Sequence, residues 1–130
     1  MIMDNYRYIE AEDYYDMASE WINHRNYEKA EECLNHVIDL NPGFIYAYID
    51  LAYIHAQNGA FHDAIHILKK ATHHDPAFDR LYYLMAKYAY KDGDFRNAMH
   101  FIGQACDINP SAINEKVKRI IEIAYHRRRR

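Results

Sequence analysis

Two cysteines in 130 residues are too few for a disulfide framework, and Cys33 and Cys106 stand far apart in the chain. Reduced thiols in a reducing compartment are therefore expected. Glycine is scarce too, with only four residues, and none forms a phosphate-cradling loop. No nucleophile motif or zincin pattern occurs, so no catalytic residue is assigned and enzymatic activity is not expected. No apolar run reaches the roughly 18 residues that a membrane span needs. The opening Met1-Ile2-Met3-Asp4-Asn5-Tyr6-Arg7 lacks the basic and apolar regions of a signal peptide, which makes a cytoplasmic location the expectation. At this length one domain is expected, and a hydrophobic fraction of 50% is enough for a core.

Proline is equally rare, but its placement is informative. Pro42, Pro76 and Pro110 stand at equal intervals along the chain. The windows 11–44, 45–78 and 79–112 repeat in register. Tyr14, Tyr48 and Tyr82 align, as do Met17, Leu51 and Met85, and Ala18, Ala52 and Ala86. Further along, Tyr27, Phe61 and Phe95 align, then Ala30, Ala64 and Ala98, then Leu34, Leu68 and Ile102. A fixed period of this size marks a repeat architecture, in which each unit buries its apolar face only by stacking on neighbours.

Local signals place two helices in each window. First helices are expected near 12–24, 45–57 and 79–91, and second helices near 27–40, 61–73 and 95–107. Gly59 and Gly93 suit left-handed helix ends, and Asn26 and Asp94 suit helix N-caps. The prolines punctuate the joins, each fitting the first turn of the next helix. A seventh helix is expected over 113–127, with Ile113, Val117, Ile120, Ile121 and Ala124 inward and Lys116, Lys118, Arg119 and Glu122 giving the cap a polar outside. Residues 1–10 read as an arm or as an extension of the first helix. Residues 127–130 form a basic tail, most simply a solubilising end.

The pattern resembles the tetratricopeptide repeat over residues 11–112. Ala18, Ala52 and Ala86 stand where that family often has glycine, and His55 and Ala89 replace an aromatic matched by Trp21. The resemblance implies an all-α, right-handed solenoid of three helix-turn-helix units with a terminal capping helix. It also implies that the first helices line a concave face that binds a peptide segment of a protein partner. Projected onto this chain, the groove comprises Tyr15, Ser19, Tyr46, Ile49, Asp50, Tyr53, Gln57, Arg80, Tyr83, Leu84, Lys87, Tyr90 and Lys91. Glu12, Asp16, Ile22, Asn23 and Ala56 lie on the same projected face, and the last helix is expected to add Asn114, Lys118, Ile121 and Tyr125. The repeats can build their core without Tyr15, Tyr53, Tyr83 or Tyr90, and tyrosine is well suited to contact surfaces.

One subclass of the family grips a C-terminal carboxylate with lysines, asparagines and an arginine. The matching positions are Tyr15, Ser19, Asp50, Arg80 and Leu84; only Arg80 has the right charge, so that mode is not expected. A secretion-type chaperone of similar architecture is a narrower form of the same expectation.

Charge is distributed unevenly. Residues 1–40 carry −7, residues 41–110 carry −1 and residues 111–130 carry +5. This suggests a second reading, a structural protein that stacks head to tail into a homo-oligomer. Its joint would place Ile2, Tyr6, Tyr8 or Ile9 on a neighbour's Ile123 or Tyr125. Among the nine histidines, His62 and His66 share a helix face, and His100 lies at the equivalent of His66 one repeat on. No third ligand is at hand, so neither a metal nor any other cofactor is expected. Small-molecule substrates, nucleic acid and membranes are not expected partners.

Overall fold

The computed structural model describes residues 2–129, with only the backbone course for 2–5 and 129. Seven helices follow one another: α1 (Ile2–Asn23), α2 (Tyr27–Leu40), α3 (Ile45–Gln57), α4 (Phe61–Thr72), α5 (Asp79–Lys91), α6 (Phe95–Ile108) and α7 (Ala112–Arg129). No strand occurs among the described residues. Each helix packs mainly on its chain neighbours, giving an α-solenoid of three helical pairs and a last helix. No described helix is long and apolar enough to cross a membrane.

The repeat period acts first on the turns. Arg25, Gly59 and Gly93 occupy one register position, and all three have positive φ, at 58°, 77° and 79°. Each lets a first helix end and reverse direction. Asn26 and Asp94 follow as N-caps. The Asn26 side chain accepts from the Lys29 backbone N–H at 3.3 Å. The Asp94 side chain accepts from the Asn97 backbone N–H at 3.2 Å. The equivalent Ala60 in the middle repeat has no side chain with which to cap. The prolines lie in the joins, ahead of the next helix rather than in its first turn as expected. There the Tyr48 hydroxyl donates to the Pro42 carbonyl at 2.6 Å.

Ala18, Ala30, Ala52, Ala64, Ala86 and Ala98 are fully buried. Their small side chains let helix axes approach, and Leu34, Leu68 and Ile102 fill the remaining space, each burial contributing about 1.5–3 kcal/mol. Two core clusters form, one over the first two repeats and one over the last two with Ile121. Ile38 and Ile67 pack against both, so the apolar interior is continuous.

The two ends of the chain lie outside the repeat windows. Residues 2–10 continue α1, tied to α2 by Arg7, which donates to the Asp39 carbonyl at 3.1 Å. On α7 the inward face is Asn114, Val117 and Ile121, while Ile113 and Ile120 are exposed. The reason is a polar anchor. Buried Asn114 donates to the Asn109 carbonyl at 2.8 Å and to Asp79 Oδ2 at 3.0 Å, and Ser111 caps the helix by accepting from the Asn114 N–H at 3.1 Å. This satisfied network fixes the rotation of α7 and turns the isoleucines outward.

Candidate functional site

The candidate groove is the face of α1, α3 and α5, where side chains four and three residues apart share a surface. Tyr15 on α1 reaches across the first join. Its hydroxyl donates to Asp50 Oδ2 on α3 at 2.6 Å, and its ring lies 4.8 Å from Phe44. The Ser19 hydroxyl donates to the Tyr15 carbonyl one turn back at 3.1 Å.

The electrostatics of this pair follow from burial. Loss of water, the hydrogen bond to Asp50 and its nearby charge all push the Tyr15 hydroxyl well above the ordinary tyrosine range. Burial also raises the Asp50 carboxyl, and the Tyr15 hydrogen bond partly offsets that rise. Tyr15 therefore remains the donor and Asp50 the acceptor.

Tyr46 is 56% exposed and edge-on to Phe78 with ring centroids 6.4 Å apart. With Phe44, Asp75 and Phe78 it lines a cleft of about 450 Å³. Arg80 and Tyr83 line a second cleft of about 360 Å³ with Asp79, Asn109 and Ser111. Tyr53 is exposed and meets Tyr27 edge-on at 6.3 Å, and Tyr90 rests 5.3 Å from Phe95. Gln57, Lys87 and Lys91 are exposed. A larger cleft of about 520 Å³ lies away from this face, lined by Lys69, His73, Asn97 and His100 of α4, α6 and the turn after α4.

Several projected groove residues fall elsewhere. Leu84 is only 6% exposed and belongs to the core, with Ile49 half-buried against the same cluster. Ile121 is buried by α7's own packing, and Asn114, which borders the Arg80–Tyr83 cleft, has its amide taken up by the Asn109 carbonyl and Asp79. Tyr83 packs on the core, and Tyr15, Tyr53 and Tyr90 each have a ring neighbour, so part of the tyrosine surplus is packing.

Tyr88, whose register equivalents are Glu20 and Ile54, belongs to the same core cluster and stacks on Phe61 with ring centroids 6.4 Å apart. It is buried, and its hydroxyl is largely desolvated. Burial raises that hydroxyl's pKa, Tyr53 and Asp50 raise it further, and Arg80 opposes them. The histidines form no metal centre: His62 Nε2 lies 3.2 Å from Asp92 Oδ2, and no group of three potential ligands occurs among the described residues.

Comparison with known proteins agrees with this fold. No curated protein matches the chain. Among solved structures, the chain superposes on the Yersinia enterocolitica type III secretion chaperone SycD, crystallised with a peptide of the translocator YopD. The TM-score is 0.79 at 16% identity, covering 90% of this chain and 93% of that one. The first repeat domain of Spaghetti (RPAP3), bound to the HSP90 peptide SRMEEVD, gives a TM-score of 0.81 at 13% identity, covering 92% and 95%. MamA from Desulfovibrio magneticus RS-1 gives 0.75 at 19% identity over 89% of this chain, which spans just 66% of the MamA chain. Tetratricopeptide repeat sequence patterns match residues 22–88, just over half of the chain, and again residues 79–111. The matched segments contain the left-handed turns, the buried alanines from Ala30 to Ala98 and helices α2 to α6, and the chain belongs to the tetratricopeptide repeat family.

Proposed function

We propose that the chain is a non-catalytic adaptor or chaperone-like module that holds a peptide segment of a protein partner along α1, α3 and α5. The observation that carries this reading is the row of exposed Tyr46, Tyr53 and Tyr90 interleaved with Arg80, Lys87 and Lys91 on one face. Aromatic rings with a polar tip provide contact area at low entropic cost, and the bases select among ligands by charge. The peptides held by SycD and by the Spaghetti domain support a ligand of this kind. The face differs from a carboxylate clamp, because Asp50 is already engaged by Tyr15 at its centre.

The preferred ligand is an extended or helical segment with aromatic or aliphatic anchors between charged residues. A peptide array probed with the full chain identifies binders, and calorimetry on the best one compares variants. Tyr46→Ala and Tyr53→Ala are expected to weaken binding by about 2 kcal/mol each, the cost of truncating a hot spot. Both side chains are exposed, so melting temperatures stay close to wild type. Unchanged affinity in both variants moves the site off this face.

A further inference from the structure

The solenoid's two end helices each use one face for packing and leave the other bare. On α1 the bare face carries Tyr6, Ile9 and Met17, with Asp13 and Glu20 set among them at spacings of three and four. Tyr6 is 66% exposed, and Met17 edges a crevice of about 300 Å³ with Trp21 and His24. On α7 the bare face carries Ile113, Ile120 and Ile123, with Lys116 and Arg127 among them at the same spacings. Ile113 is 65% exposed and also borders the cleft lined by Arg80 and Tyr83. A solenoid end in solution ordinarily carries a polar outer face, whereas each of these mixes large apolar side chains with its charges.

The two faces are complementary in charge and in spacing. The α1 sequence holds six acids and one base, whereas the α7 sequence holds two acids and six bases. Tyr6 to Glu20 and Ile113 to Arg127 are stretches of equal length. Set side by side in parallel, Tyr6 meets Ile113, Met17 falls beside Ile123 and Glu20 meets Arg127; Ile9 meets Lys116 and Asp13 meets Ile120, with Lys116 one turn from Asp13. Set antiparallel, Glu20 meets Ile113, Met17 meets Lys116 and Tyr6 meets Arg127, so more charges lie against apolar groups and the only charge pair is lost.

We propose that the bare face of α1 binds the bare face of α7 on a second copy of this chain, head to tail and with the two helices parallel. The isoleucines, Tyr6 and Met17 supply the buried apolar area, because exposed ion pairs alone contribute little. The charges fix register and exclude like-with-like pairing. The contact joins unlike surfaces, so each added copy leaves one free end and the assembly is a ring or an open filament. Tyr125 is not part of this joint, and the side chain of Ile2 lies outside the described residues, as does Arg130.

Sedimentation velocity on the full chain, over a concentration series at low and high salt, tests the proposal. Two variants each block one end: Ile120→Glu/Ile123→Glu on α7 and Ile9→Lys/Met17→Lys on α1. Wild type is expected to grow with concentration and to shrink with salt. Each variant alone is expected to lose self-association by about tenfold or more. Mixing the two restores a dimer that does not grow, because the remaining intact α7 face meets the remaining intact α1 face. Circular dichroism confirms that both variants fold. If either fails to fold, the charge reversals Glu20→Arg and Arg127→Glu replace them, each weakening association alone and restoring it when mixed. A wild type that stays monomeric at every concentration overturns the proposal and leaves the faces to a different partner. A mixture that fails to dimerise overturns the head-to-tail arrangement in favour of like meeting like.

Discussion

The two joins between repeats are built on the same register but from opposite chemistry. Across the first join, Tyr15 and Asp50 are 35 residues apart and hydrogen-bonded at 2.6 Å. The same relation across the second join pairs Ile49 with Leu84, and there the core has taken over the position. Asp16, Asp50 and Leu84 share one register place, yet they are exposed, half-buried and buried in turn. A repeat therefore fixes where a side chain projects but not what it meets. What it meets depends on the preceding helix. Among the described residues nothing packs on that side of α1, Tyr15 stands before Asp50, and aliphatic Ile49 stands before Leu84.

The largest test of this contrast moves the polar residue to the apolar join. Leu84→Asp is expected to cost roughly 3–5 kcal/mol in urea denaturation, through lost burial and an unpaired carboxylate. Asp16→Leu at the equivalent place is expected to change stability by less than about 0.5 kcal/mol. Adding Ile49→Tyr to Leu84→Asp installs the first join's pair in the second, and about 1 kcal/mol should return. Similar costs at residues 16 and 84 would break the comparison.

A smaller effect separates the turns. Arg25 adopts the left-handed conformation that Gly59 and Gly93 adopt elsewhere, and a side chain there is strained. Arg25→Gly is expected to stabilise the protein by about 1 kcal/mol, and Gly93→Ala to destabilise it by about the same. A Cβ built at Gly93 meets nothing within 4 Å, so that loss would come from the backbone alone. Thermal melts of the two variants moving in the same direction would contradict this account.

The smallest effect concerns pH. Burial raises the Asp50 carboxyl above its ordinary value, so the folded state binds its proton more tightly than the unfolded chain does. Its contribution is therefore fully present below the unfolded pKa and is lost as pH rises through the folded one. Asp50→Asn keeps an acceptor for Tyr15 and removes this loss. Relative to wild type, the variant's melting temperature is expected to gain as pH climbs from about 4 to 7. A constant difference across that range would mean that Asp50 does not titrate differently on folding.

Much of this protein was legible from sequence because its signals are periodic and local. The seven helices, the glycine turns, the caps at Asn26 and Asp94 and the buried alanines all follow from the repeat register and backbone preference. The groove was legible only as a projection. Of the projected set Tyr46 and Tyr53 are exposed while Leu84 is buried, because exposure depends on neighbours from other repeats, distant in the chain. The orientation of α7 illustrates the same division. Its sequence offers two apolar faces of similar quality, and periodicity cannot choose between them. Tertiary structure chose, by burying Asn114 against Asp79 and the Asn109 carbonyl, since a buried amide must find its partners and a helix can turn only one face inward. The sequence alone thus determined the helices, their order and the fold they build. Which tyrosines stay free, and which isoleucines remain at the ends for a neighbour, was decided only when the helices packed.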